Sequence, residues 1–161
     1  MLLDDTLRSE VGIYLEVMLA FNSIDHELIW KYIIVVASQL EYCCIRMLLV
    51  SEKGDPYKFW EYEERTTLNQ AAQKMKEKNL LSSEEFQIIK DIGKLRNSVL
   101  HRKALTGITE YAEYKGRKVF HDSDAVKEFI KDSEAVTNTI NEWAKKNSDY
   151  LSGTPDTEGV V

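Results

Sequence analysis

Apolar residues recur along this chain at intervals of three and four in several separate stretches, and that spacing predicts an almost wholly helical protein. Leu7, Val11, Tyr14, Leu15, Met18 and Leu19 put one apolar face on a first helix from about Asp5 to Phe21. Asn22-Ser23-Ile24-Asp25 then breaks it and supplies capping side chains for the next helix. That second helix, about Asp25 to Ser51, is the most apolar element of the chain. Ile29, Ile33, Val36, Leu40, Cys43, Met47 and Val50 make one row, and Trp30, Ile34, Ala37, Cys44 and Leu48 make another beside it. A stripe that broad has to be covered on more than one side, so this helix is expected either at the centre of the fold or shared with a second subunit.

Glu52-Lys53-Gly54-Asp55-Pro56 reads as a loop from its turn chemistry. Tyr57, Phe59, Trp60 and Tyr62 follow, interleaved with Glu61, Glu63 and Glu64, whose charge would repel a phosphate backbone, so packing suits these rings better than base stacking. Thr67-Leu68-Asn69-Gln70 and Ser82-Ser83-Glu84-Glu85 each fit a capping box, opening one helix to about Asn79 and another that the chain leaves after His101. Glu110 to Tyr114 and Arg117 to His121, joined by Lys115-Gly116, predict a two-residue hairpin with Glu113 opposite Lys118 and Tyr111 opposite Phe120. Asp122-Ser123-Asp124 caps a last helix with Ala125, Phe129, Ala135, Val136, Ile140 and Trp143 on its buried side. These readings add up to an all-α bundle of about four to five helices with a small β-hairpin before the last one. One domain is expected over residues 1–151, followed by a disordered tail at 152–161.

Composition narrows the function. With 161 residues, 43% of them hydrophobic, the chain is long enough for one core and short for two, and its two prolines and seven glycines mark no linker. A net charge of -6 argues against loose nucleic-acid binding, which depends on neutralising many phosphates. Cys43 and Cys44 are adjacent on a helix, point about 100° apart and are poorly placed to bridge, so free thiols in a reducing compartment are expected. Met1-Leu2-Leu3-Asp4-Asp5 lacks the basic-then-apolar order of a secretory signal, and Lys31, Gln39, Glu41 and Arg46 interrupt the apolar run Ile29 to Val50. A cytoplasmic protein with no membrane partner is the expectation.

One stretch runs against the overall charge. From Lys90 to Lys103 the cations Lys90, Lys94, Arg96, Arg102 and Lys103 outnumber the single acid Asp91. On a helical wheel Ile88, Ile92, Leu95 and Val99 form a core stripe, while Lys90, Lys94, Asn97 and His101 fall on an opposite, polar face. Gly93, one turn before Asn97, leaves room there for another backbone or a ligand. Arg96 flanks the core stripe and is turned about 140° from His101 on an ideal helix, so one regular helix does not join them. A loosened last turn, a wrapped arginine or a second copy of the helix would be needed.

Arg96-Asn97-Ser98-Val99-Leu100-His101 resembles the Arg-polar-(three residues)-His signature of the HEPN superfamily, small helical domains many of which are metal-independent ribonucleases and toxins. The order of two capped helices before it extends the likeness to roughly Leu28 through Lys131. The resemblance implies an active cleft at a homodimer interface, with Arg96 holding the scissile phosphate, His101 transferring protons and Asn97 orienting the ribose or the imidazole. Lys90, Lys94, Arg102 and Lys103 would then help bind RNA, and neither metal nor cofactor is implied. Metal-free RNA cleavage needs a base, an acid and positive charge on the phosphorane, which two facing copies would supply. An antitoxin or a regulatory protein would be the further partner. Toxins of this superfamily that pair with a nucleotidyltransferase-type antitoxin typically carry a tyrosine two residues after the motif histidine, where this chain has Lys103.

Two expectations therefore stand. One is a ribonuclease acting through Arg96, Asn97 and His101. The other is a catalytically silent scaffold or regulator resembling the mannitol operon repressor family, in which the same helix makes a protein interface. Beside both stands the bland reading that His101 merely meets a helix end and Arg96 pairs with an acid such as Glu41.

Overall fold

The computed structural model describes residues 25–53, 61, 63–101 and 111–147, the last residue of the second range by its backbone alone. The helix expected at Asp5–Phe21, the rings of Tyr57, Phe59, Trp60 and Tyr62, the side chain of His101, Arg102, Lys103 and the tail lie outside the described residues. Within them are four helices, α1 (His26–Ser51), α2 (Leu68–Glu77), α3 (Ser83–His101) and α4 (Ser123–Lys146). A two-stranded antiparallel hairpin, β1 (Glu113–Tyr114) and β2 (Arg117–Lys118), precedes α4. The all-α class with a hairpin before the last helix is as the apolar spacing predicts.

α1 lies at the centre. Its twelve buried residues include most of both predicted rows, with Cys43, Trp30 and Ile34 only partly buried, and α2, α3 and α4 all pack against it. By length and composition this helix could cross a membrane, a test that the core helix of a soluble protein passes equally; much of it is buried by its neighbours. Asp25 caps it by accepting a hydrogen bond from Leu28 N at 3.0 Å. α2 opens with the expected capping box, in which Gln70 N donates to Thr67 Oγ1 and Thr67 N donates to Gln70 Oε1. It buries Leu68, Ala71, Ala72 and Met75 and stops where Asn79 takes a positive φ of 57°. Leu80 N reaches back to Met75 O, the closing bond of a left-handed helix cap. The Ser82–Glu85 box opens α3 in the same way, and Ile88, Ile92, Leu95 and Val99 of α3 are buried as expected.

The hairpin is shorter than its sequence suggests. Glu113 does pair with Lys118, but Tyr111 and Phe120 fall outside the two-pair ladder. After Lys118 the carbonyl of that residue accepts from His121 N and Asp122 N, turning the chain into α4. Phe120 is thereby drawn into the core while Tyr111 stays 59% exposed. Lys115 and Gly116 have φ of 48° and 80°, the left-handed pair that a tight hairpin turn requires. Lysine at the first of these positions is held by Asp132 at 2.6 Å and Glu128 at 3.2 Å on α4. Tyr114, fully buried, donates to Asp132 at 2.8 Å, and burial together with that carboxylate pushes its hydroxyl pKa upward. On α4, Ala135 is exposed, against expectation, and Ser133 and Thr137 are buried instead. Their hydroxyls donate to Ile130 O and Ser133 O of the same helix, which removes the cost of burying them.

Glu85 ties the start of α3 to α4 by accepting from Thr139, besides closing its own capping box. Burial opposes the charge of this carboxyl, yet the bonds from Thr139 and Ser82 outweigh it and the pKa lies below the ordinary value of 4.5. A carboxyl depressed on folding contributes stability above its unfolded pKa and loses it as pH falls through the folded one. Stability is therefore expected to fall below about pH 4.5, and Glu85→Gln should flatten that part of the profile. Urea unfolding at pH 7 and at successively lower pH checks this; equal slopes in the two proteins would refute it.

Candidate functional site

The cationic segment forms the last turns of α3, which lies against α1, α2 and α4. The wheel expectation is met at Lys94 and Asn97, both exposed, whereas Lys90 is half-buried. Each lysine has a neighbour on its own helix. Lys94 sits 3.3 Å from Asp91 one turn back, and Lys90 lies 5.4 Å from the ring centroid of Phe86, which Lys76 of α2 approaches from 4.5 Å. Gly93 is buried, and the space that its missing side chain leaves is taken by Asn69 of α2. A Cβ there would stand 2.8 Å from Asn69 Oδ1. The close approach foreseen at this glycine is thus made by a side chain of the neighbouring helix. Nothing in the local sequence of α2 singles Asn69 out for it.

Arg96 turns away from Asn97, toward α1. Its Nη2 lies 3.0 Å from Glu41 Oε2, with the two side chains 26% and 18% exposed. Glu41 Oε1 accepts from Leu68 N at 3.1 Å, the first residue of α2. One carboxylate thereby joins three helices: it grows from α1, neutralises a guanidinium on α3 and satisfies an amide at the positive end of α2. The negative charge also suits that helix terminus. Arg96 Nε is buried without a hydrogen-bond partner, so the guanidinium is inserted among the helices and only part of its fork reaches solvent. The pairing of Arg96 with Glu41 is the one named as its structural alternative; the second bond, to the α2 amide, has no signature in the sequence.

Arg96 and Asn97 are therefore brought to neighbouring but differently directed positions, the arginine inward and the amide outward. Chemically, the arrangement offers a guanidinium whose charge is balanced by a carboxylate about 3 Å away. Such a group can still accept a second anion on its open edge, with less attraction than an unpaired arginine.

Removing either partner of the pair should destabilise the protein by on the order of 1–2 kcal/mol, between the values for exposed and fully buried pairs. Arg96→Met and Glu41→Gln should cost less together than the sum of the two single changes. A double-mutant cycle by urea denaturation measures that coupling; strictly additive losses would show that the pair contributes nothing. The chain matches no protein-family model, no curated protein and no solved structure.

Proposed function

We propose that this chain is a HEPN-like regulatory or protein-interaction module, of the kind the mannitol operon repressor family represents, and that it pairs with a second copy through the outer end of α3. The observation that carries this reading is the use of Arg96 as an internal brace. The guanidinium that a ribonuclease would aim at the scissile phosphate is instead ion-paired with Glu41, and that carboxylate secures the start of α2. A carboxylate at this distance would oppose the negative charge that grows on a phosphorane. The net charge of -6 points the same way. On the same helix end Leu100 is 40% exposed, close in sequence to the exposed Asn97, and a partner surface would cover both. A reducing, cytoplasmic setting goes with this reading, since Cys44 is a buried free thiol whose pKa burial raises.

The ribonuclease reading keeps specific support and is held as the second. Only Nη2 of Arg96 is engaged by Glu41, a quarter of the side chain is open, and Asn97 is free to meet a ribose. In that reading two copies contribute Arg96, Asn97 and His101 to one cleft, Glu41 orients the guanidinium, and Lys90, Lys94, Arg102 and Lys103 attract the RNA strand.

Two measurements test the proposal, and the second separates the readings. In sedimentation velocity the chain should self-associate, and Leu100→Glu should weaken the pairing at least tenfold by placing a charge in the contact; association unchanged by this substitution would refute the interface. Labelled single-stranded RNA incubated with the protein in excess chelator should stay intact at all protein concentrations tested. Chelator-resistant cleavage that disappears in His101→Ala and in Asn97→Ala would instead establish the enzyme.

A further inference from the structure

Apart from the Arg96 region, α1 and α4 leave between them a cleft of about 500 Å³. Its walls include Tyr42, Met47, Ile140 and Trp143, and the one arginine among its described lining residues is Arg46. A volume of a few hundred Å³, mostly apolar walls and a small number of polar groups are the usual make-up of a small-molecule site. Arg46 is what gives this cleft a chemical preference. It is half-buried, and its helix neighbours three and four residues away, Tyr42, Cys43, Leu49 and Val50, carry no carboxylate. The acid among the lining residues, Glu142, is held by Lys145 at 2.7 Å. Arg46 therefore has no carboxylate partner among the described residues, whereas Arg96 is paired with Glu41 and Arg117 with Asp122 and Glu128. In a chain with 27 acidic and 21 basic side chains, a partly desolvated guanidinium left without an anion is an unmet demand.

We propose that this cleft binds an amphipathic organic anion, a carboxylate with an apolar body, with Arg46 taking the acid group and Met47, Ile140 and Trp143 enclosing the body. The planar fork of arginine suits a carboxylate through two parallel hydrogen bonds. The apolar walls exclude water from that contact and strengthen it. Gln39, Asn138 and Asn141 at the wall add hydrogen-bonding groups without charge, and Lys145 is paired with Glu142, so the preference for an acid rests on Arg46.

The test uses the full chain and two probes of the same body, laurate and dodecanol, read by displacement of the fluorescent dye anilinonaphthalene sulfonate. Laurate should bind at one saturable site, and dodecanol on the order of tenfold more weakly, the difference made by one charged hydrogen-bonded contact. Arg46→Gln should abolish that preference, and Ala144→Trp, which fills the cleft, should block both probes while the thermal unfolding temperature stays close to that of the unaltered chain. Absence of saturable binding would overturn the proposal, as would happen if another segment of the chain or a second copy occupies the cleft. Equal affinity for the two probes in the unaltered chain, or undiminished binding in Ala144→Trp, would overturn it as well. These two comparisons decide the matter even where Arg46→Gln does not fold.

Discussion

The structure depends on the width of the apolar surface of α1. A helix with two adjacent apolar rows cannot be satisfied by one neighbour, because a single packed helix covers a narrower stripe than the rows span. α2, α3 and α4 therefore all lie against it, and the hairpin serves mainly to turn the chain so that α4 can do so. The network of Lys115, Arg117, Glu128 and Asp132 fastens that hairpin to α4 with charges at its outer edge, leaving the space beneath to Tyr114, Phe120 and Phe129.

Glu41 is the polar interruption that this arrangement must accommodate. A carboxylate on a helix packed by three others loses hydration, and the fold answers with one cation and one helix-terminal amide. Both answers come from elements distant in sequence. The consequence for function is direct, since the cation is the first residue of the very motif that suggests RNA chemistry. A group that secures helix packing and a group that grips a phosphate face opposite requirements: the first is neutralised and buried, the second exposed and in charge excess. In Arg96 the first requirement is met more fully than the second, since a carboxylate neutralises the guanidinium while a quarter of the side chain stays open, which is why the interaction-module reading takes precedence.

Much of the architecture was legible residue by residue. Both capping boxes form as their spacing predicts, because Thr67 with Gln70 and Ser82 with Glu85 need only their own helix turns. The core stripe of α3 and the Lys115-Gly116 turn are equally local. Failures came where a distant element intervened. Tyr111 and Phe120 alternate correctly for a longer hairpin, yet the core takes Phe120 and the turn into α4 ends the ladder. Ser133 and Thr137 bond their own backbone and can be buried, while Ala135, expected on the buried side, is small and loses little by facing water. Of the candidate site, the outward direction of Lys94 and Asn97 and the pairing of Arg96 with Glu41 could be anticipated; the contact of Asn69 with Gly93 and the tether to Leu68 N could not.

By itself the sequence determined the helical elements described here, their caps, the hairpin turn and the presence of a cationic segment in an acidic chain, since periodicity, capping and turn chemistry act over a few residues. Tertiary structure alone decided that Glu41 also holds the start of α2, that Asn69 fills the gap at Gly93, and that Arg46 borders an apolar cleft with no carboxylate partner among the described residues. Those outcomes follow from which surfaces meet when four helices compete to cover one core, and no local pattern carries that information.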